Sequence, residues 1–379
     1  MIAPFGLRLP GDIRFGRGKA AEAVPEIAAL ADRILVIHGR DAHRAGWLLD
    51  GLRREGAEVL GLPAAGEPDL EMLEAAVAAA RDFGAGAVVA CGGGAALDLG
   101  KAVAALAGEA HPAAEYLEVV GTGRKLAGPL LPFVAIPTTA GTGAEVTKNA
   151  VIGVPDHRRK VSLRDDRMLA RLAIVDPSLT DGCPKSVTLA SGLDAVVQVI
   201  EPYLSPKASI VTDALCEKAI PAGLSALATL MDREEPGARD ALAWTSLAGG
   251  IALANAGLGA VHGLAGPLGG VTGAPHGAIC GRLLQPVLSV HMRVGLPDPA
   301  DIRIDRVARW IGERLKLGLT GANLDQWVTD QGLPRLGGMG LDPADIPMVA
   351  EAARGSSSMK GNPVELSQDQ LETILGMAL

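Results

Sequence analysis

The sequence predicts two domains of different class. The first is an α/β domain over residues 1–182. The second is an all-α domain over residues 183–379. Two observations carry this. Short apolar runs alternate with helical stretches up to about residue 182, the pattern of a mostly parallel sheet with helices on both faces. Beyond Cys183 the strand signal fades and long helical runs follow. The length agrees, since 379 residues at roughly 150 per domain make two.

In order, RILVI (33–37) reads as a strand, followed by a helical stretch to about Glu55 and a second strand, AEVLGL (57–62). Residues 67–84 have helical period, with Pro68 and Asp69 at the start and Gly84 as the stop. AGAVVACGGG (85–94) is a buried strand running into a glycine turn, and a helix is expected over 97–106. LPFVAIPTTAGTG (131–143) is a strand followed by a loop, and RLAIVDPSLT (171–180) a strand ending in a turn. In the second domain, 187–204, 209–232 and 238–264 each read as one helix, and the remainder as helices with Gly and Pro breaks.

Composition narrows the function. The net charge is −8 and no long basic block occurs, which argues against nucleic acid or an anionic membrane as partner. Four cysteines are widely spaced with no C-x-x-C, so a zinc knuckle or redox pair is excluded and a reducing cytoplasm is expected. The N-terminus lacks the charged and apolar regions of a signal peptide. Residues 241–281 contain no Asp, Glu, Lys or Arg. Asn255, His262, His276 and paired glycines interrupt that stretch, which suits buried helices around a site better than a membrane span.

Three features carry chemistry. In CGGGAALDLGK (91–101), three glycines follow a buried strand and open a helix, so a pyrophosphate can approach the backbone N–H groups and the positive end of the helix. The alternative is a plain strand-to-helix turn. PTTAGTGAE (137–145) offers the hydroxyls of Thr138, Thr139 and Thr142 at the C-terminal edge of the same sheet, where such folds bind ligands. Third, Asp194 and Gln198 share one face of an apolar helix, and His262 and His276 lie in the uncharged stretch. A divalent metal would satisfy them; separate hydrogen-bonded core residues are the plainer alternative.

Taken in order, GGGAALDLGK, PTTAGTGAEVT, AIVDPSLT, SGLDAVVQVIEPY, NAGLGAVHGLAGPLGG and APHGA resemble the iron-containing (group III) alcohol dehydrogenase family across essentially the whole chain. The resemblance implies a dehydroquinate synthase-like architecture, with a Rossmann-like dinucleotide-binding α/β domain (1–182) followed by a helical metal- and substrate-binding domain (183–379), and an NAD(P)-dependent dehydrogenase of a small primary alcohol or its aldehyde, assembled as a dimer or larger. It implies that Gly93, Gly94, Ala95, Thr138, Thr139 and Thr142 contact cofactor, with Asp98 near the nicotinamide and Lys160 and Leu179 beside it. The family's metal ligands are one Asp and three His. Asp194, His262 and His276 match three, and Gln198 stands at the fourth. A second active-site His is replaced by Gly266, and the usual Ser of the glycine loop by Ala95. Fe²⁺ or Zn²⁺ is the implied ion. A metal-independent NAD(P)H reductase and a catalytically lapsed NAD(P)-binding protein are the rival readings.

Two further expectations concern specificity. The strand at 33–37 leads into His38-Gly39-Arg40, with Gly39 where an acid would bind a ribose 2′-hydroxyl. Without that acid, Arg40 or His38 could pair with a 2′-phosphate, so NADP(H) is favoured over NAD(H). The segment 356–362, with Lys360, is a candidate contributor to an anionic-substrate site, an exposed polar loop being the alternative.

Overall fold

The computed structural model describes residues 2–318 and 323–379. The chain divides into two units. One comprises Arg8–Thr139 and Ala144–Thr180; the other comprises Met1–Leu7, Ala140–Gly143 and Asp181–Leu379.

The first unit begins with β1 (Asp12–Phe15), α1 (Lys19–Glu22), α2 (Val24–Ala28), β2 (Arg33–His38), α3 (Gly46–Arg54) and β3 (Glu58–Pro63). It continues through α4 (Leu70–Phe83), β4 (Ala87–Gly92), α5 (Gly94–Leu106), β5 (Phe133–Pro137), β6 (Asn149–Val154), β7 (Arg159–Arg164) and β8 (Leu172–Val175). Asp69 caps α4 by accepting from Met72 N, and Gly84 ends it in the left-handed conformation at φ +68°, as Asp and Gly at those positions predict. β2, β4, β5 and β8 are almost wholly buried, which explains their unbroken apolar runs.

Among the described residues, the main sheet has six parallel strands in the order β1-β8-β5-β4-β2-β3. From β2 the chain moves outward to β3, then returns past β2 to build the other side through β4, β5 and β8. The order therefore reverses between β2 and β4, and the crevice at their C-terminal ends is where such sheets bind ligands.

Three elements differ from expectation. β1 was not anticipated, because DIRF is too short and polar to signal a strand. The β6–β7 antiparallel hairpin was also missed, because its basic strand hides the alternation. Third, α5 begins at Gly94, not at residue 97: Gly94 belongs to the first helical turn and Gly93 is its N-cap.

The second unit is helical: α6 (Lys185–Leu204), α7 (Ile210–Asp232), α8 (Pro236–Ala256), α9 (Ala260–Thr272), α10 (His276–Val294), α11 (Ala300–Arg314), α12 (Leu324–Asp330), α13 (Ile346–Arg354) and α14 (Gln368–Ala378). α6 is its central rod, buried continuously from Gly192 to Leu204. The single helix expected over 238–264 is two. Gly257, at φ +78°, ends α8, and α9 departs at 100°. α7 is the one described helix long and apolar enough by itself to span a membrane; half of its most apolar stretch is buried, and it packs against α6 and α8.

Glycines set how closely α10 approaches α6. A Cβ on Gly277 would lie 2.4 Å from the Ala190 carbonyl oxygen, and one on Gly281 would lie 2.5 Å from Leu193 Cδ1. Any larger residue would push α10 off α6. That approach brings His276, the first residue of α10, to Asp194.

Candidate functional site

The crevice of the sheet is built from glycine. Gly92 ends β4, and a Cβ there would meet Gly39 N at 3.2 Å and Ala96 Cβ at 2.6 Å. Gly93 is the N-cap of α5, with no side-chain hydrogen bond closing the helix start. A Cβ on Gly93 would meet Thr139 Oγ1 at 3.2 Å, so the two loops adjoin, and Thr138 N donates to Gly92 O at 2.9 Å. Gly94 and Ala95 occupy the first turn. Backbone N–H groups, a helix dipole and a threonine hydroxyl thus converge without side-chain obstruction, the requirements of a phosphate site.

The other expected cofactor residues have varied surroundings. Thr142 falls in the short segment grouped with the helical unit, where Gly143, at φ +58°, would place a Cβ 2.5 Å from Gly250 Cα. Asp98, part-buried on α5, accepts from Val151 N at 3.1 Å and so anchors the β6–β7 hairpin. Lys160 lies on β7 and is ion-paired with Glu67. Leu179 packs against the sheet's core. Gly39 has open space where a side chain would project. Beside it, Arg40 is exposed, its Nε and Nη2 donating to the Ala65 carbonyl at 3.2 and 2.7 Å. His38 does not fit the role expected of it: it is only 5% exposed, and its Nδ1 lies 2.8 Å from Gly39 O. It is the last residue of a strand buried on both faces, which leaves Arg40 as the exposed one of the two cationic candidates.

Beneath that helix start sits a lysine that sequence motifs did not single out. Lys101, fully buried, donates to Ala144 O at 2.6 Å, Thr147 Oγ1 at 2.9 Å and Asn149 O at 2.9 Å. It staples α5 to the segment after β5. Burial pulls its pKa down to about 8, against the charges of Asp98 and Glu145. Burial likewise pushes the nearby Glu145 carboxyl up to about 7.

In the helical unit, Asp194 and Gln198 on α6, His262 on α9 and His276 on α10 converge. Asp194 Oδ1 lies 3.3 Å from His262 Nε2 and 4.0 Å from His276 Nε2. The two imidazole rings are 5.4 Å apart. Cys280, one turn along α10 from His276, completes the cluster: its Sγ is 3.6 Å from His276 Nε2. One donor atom from each of Asp194, His262, His276 and Cys280 lies within 4.8 Å of all the others. The side chains of Asp194 and His262 are 2% and 5% exposed, and that of His276 is 31%, so the cluster opens on the His276 side.

A second layer fixes this arrangement. Glu201, on the same face of α6 two turns after Asp194, bonds His262 Nδ1 through Oε2 at 2.6 Å. Its Oε1 accepts from Val261 N at 2.7 Å, while Asn362 Oδ1 accepts from Ala260 N at 3.0 Å. Those two side chains satisfy the orphan N–H groups at the start of α9. Gly259 admits them, since its Cβ would meet Asn362 Oδ1 at 2.9 Å and Glu201 Oε1 at 3.0 Å. The segment 356–362 thus buttresses the helix carrying His262, and Lys360 within it is exposed. Neither Glu201 nor Cys280 was marked by motif. Helical spacing could have found both, at seven residues from Asp194 and four from His276.

The donor atoms fit a cation. Asp194 Oδ1, His262 Nε2 and Gln198 Oε1 are buried without a hydrogen-bond partner. Asp194 Oδ1 and His262 Nε2 face each other at 3.3 Å yet make no hydrogen bond. Orphaned buried polar atoms are costly, and a divalent ion would satisfy them together. Electrostatics agree. Burial would raise the Asp194 pKa, but the imidazoles of His262 and His276 hold it below the ordinary value. Burial opposes charge on His276, yet its neighbours Cys280 and Asp194 lift it to about 9, and His262 is raised as well. At neutral pH protons therefore sit on these rings beside the Asp194 carboxylate, where a divalent ion would displace them.

A helix start open to a phosphate and a buried donor cluster suited to a cation are features a metal-assisted dehydrogenase needs, and comparison with known proteins narrows the class. Residues 10–177 match the family described as iron-containing alcohol dehydrogenase, and residues 188–379 match the Fe-containing alcohol dehydrogenase family, C-terminal. The chain is 35% identical to long-chain-alcohol dehydrogenase 1 of Geobacillus thermodenitrificans, covering 95% of this chain and 93% of that one. It is 31% identical to lactaldehyde reductase of Escherichia coli over 80% of each chain. The crystal structure of a 1,3-propanediol oxidoreductase matches over 100% of both chains at a TM-score of 0.89 and 28% identity. The chain belongs to the iron-containing alcohol dehydrogenase family. It is an oxidoreductase that interconverts alcohols and aldehydes.

Proposed function

We propose that this protein is an NADP(H)-preferring dehydrogenase of small primary alcohols and their aldehydes, working with a divalent ion at the Asp194 cluster. The observation that supports the reading most is the pair of buried orphan atoms, Asp194 Oδ1 and His262 Nε2, facing one another at 3.3 Å. Bound there, a divalent ion would polarise the carbonyl oxygen, while the nicotinamide would exchange hydride with the carbonyl carbon.

The residues have separable roles. The open N-terminus of α5 at Gly93 and Gly94 receives the pyrophosphate, with Ala95, Thr138, Thr139 and Thr142 around it and Asp98, Lys160 and Leu179 further along the cofactor. Gly39 leaves room for a 2′-phosphate and Arg40 supplies charge. Asp194, His262 and His276 hold the ion. Glu201 keeps the His262 Nδ1 proton in place, so that Nε2 presents its lone pair to the pocket. Gln198 stands at the family's fourth position, its Oε1 buried without a hydrogen-bond partner. One turn after His262 is Gly266, which has no proton to give, so the alcohol oxygen would exchange its proton through water or the cofactor ribose. Four buried, unbridged cysteines suit a reducing cytoplasm, and a dimer or larger assembly completes the reading.

The test is aldehyde reduction by protein stripped with a chelator and then reconstituted with Zn²⁺ or Fe²⁺. Activity should vanish on stripping and return with metal. Full activity in demonstrably metal-free protein would overturn the metal role and favour a metal-independent reductase.

A further inference from the structure

We propose that the thiolate of Cys280 is a further protein donor to the ion, giving an Asp194–His262–His276–Cys280 site suited to zinc. This rests on the reading that Asp194, His262 and His276 hold a divalent ion.

The distances carry the argument. Metal–oxygen and metal–nitrogen bonds of about 2.0 to 2.1 Å and a metal–sulfur bond of about 2.3 Å, at tetrahedral angles, put neighbouring donors about 3.3 to 3.6 Å apart. The separations here are 3.3 Å for Asp194 Oδ1 to His262 Nε2 and 3.6 Å for His276 Nε2 to Cys280 Sγ. The Asp194 Oδ1 to His276 Nε2 distance, 4.0 Å, closes to the expected value with a small inward movement of the more exposed ring. His276 turns the same nitrogen towards both Asp194 and Cys280, as a shared ion requires.

Helix geometry gives the same answer. His276 and Cys280 are four residues apart on α10, one above the other on a single face. The Cys280 residue is wholly buried, and Gly281 beside it lets the helix lie directly on Leu193, the neighbour of Asp194. The sulfur is thereby held within the cluster, away from solvent. On binding, the S–H bond breaks, the sulfur lone pair forms the metal–sulfur bond, and the proton leaves to solvent. A soft thiolate shifts the site's preference away from iron(II) and towards zinc.

The experiment is an anaerobic cobalt(II) titration of the full-length, metal-stripped protein, read by absorption. The wild type should bind one cobalt and show both the visible bands of a tetrahedral ion and a near-ultraviolet thiolate-to-cobalt charge-transfer band. Cys280→Ser should lose the charge-transfer band and bind cobalt at least about tenfold more weakly, whereas Gln198→Ala should keep the band. Visible bands without the charge-transfer band in the wild type, or a band that survives Cys280→Ser, would overturn the thiolate and leave the three-donor site standing. No cobalt binding by correctly folded wild type would overturn both. The wild-type spectrum decides the matter even if a variant folds poorly.

Discussion

Gly277→Ala perturbs the cluster without touching a donor atom. The new Cβ would stand 2.4 Å from the Ala190 carbonyl oxygen and 3.2 Å from Asp194 Cβ. Carbon and carbonyl oxygen meet comfortably at about 3.3 Å, so the start of α10 has to move off α6 by roughly 0.9 Å. The obstacle is backbone on both sides, so no side-chain rotation relieves it. Overpacking of this kind costs about 1 to 3 kcal/mol. The same movement carries His276 away from Asp194, from which it is already separated by 4.0 Å. Metal affinity should fall by about 10- to 100-fold, as for loss of a ligand-orienting group, or about 1.4 to 2.8 kcal/mol. The matched control is Gly266→Ala: that Cβ meets nothing within 4 Å, and alanine in a helix interior gains about 0.5 to 1 kcal/mol over glycine. Thermal unfolding with and without Zn²⁺, together with a competitive zinc titration, reads both effects. Wild-type Tm and zinc affinity in Gly277→Ala would refute the claim that the α6–α10 approach sets the site.

Three more outcomes follow from the first unit. Gly39→Asp has open space for its carboxylate and should shift the kcat/KM ratio from NADPH towards NADH by about tenfold or more, roughly 1.4 kcal/mol; an unmoved ratio would place the 2′ position elsewhere. Lys101→Met removes three hydrogen bonds and strands buried acceptors, so urea unfolding should show a loss of about 1 to 3 kcal/mol; a neutral result would deny the staple. Glu145 is raised from its ordinary 4.5 to about 7, so its contribution to stability is fully present below about pH 4.5 and is lost as pH rises through 7. The stability of wild type relative to Glu145→Gln should therefore decline between pH 5 and 7, and a flat or rising difference would contradict the burial argument.

Much of this molecule could be read before folding it. The unbroken apolar runs of β2, β4, β5 and β8 declared a buried parallel sheet, and the Asp69 and Gly84 caps fixed the ends of α4. The glycine turn after β4 was legible because its chemistry is local. Other features depend on partners far along the chain. The bend between α8 and α9 hides in an apolar run, where Gly257 resembles any other glycine until its φ is known. The burial of His38 depends on β2 being covered on both faces. Cys280 and Glu201 lie on the same helix faces as the expected donors, but their roles emerge only when α6, α9 and α10 meet. Asp98 and Lys160, expected at the cofactor, also hold the β6–β7 hairpin and Glu67, partners that the missed hairpin concealed.

The most direct measurement follows deuterium from a primary alcohol labelled at its carbinol carbon into the nicotinamide, by mass spectrometry of the reduced cofactor. With NADP⁺ and metal-reconstituted protein, one deuterium should appear in each NADPH formed, and His276→Ala protein should transfer none. Unlabelled NADPH, or equal transfer by protein lacking both the metal and His276, would contradict a direct hydride transfer supported by the ion at Asp194, His262 and His276.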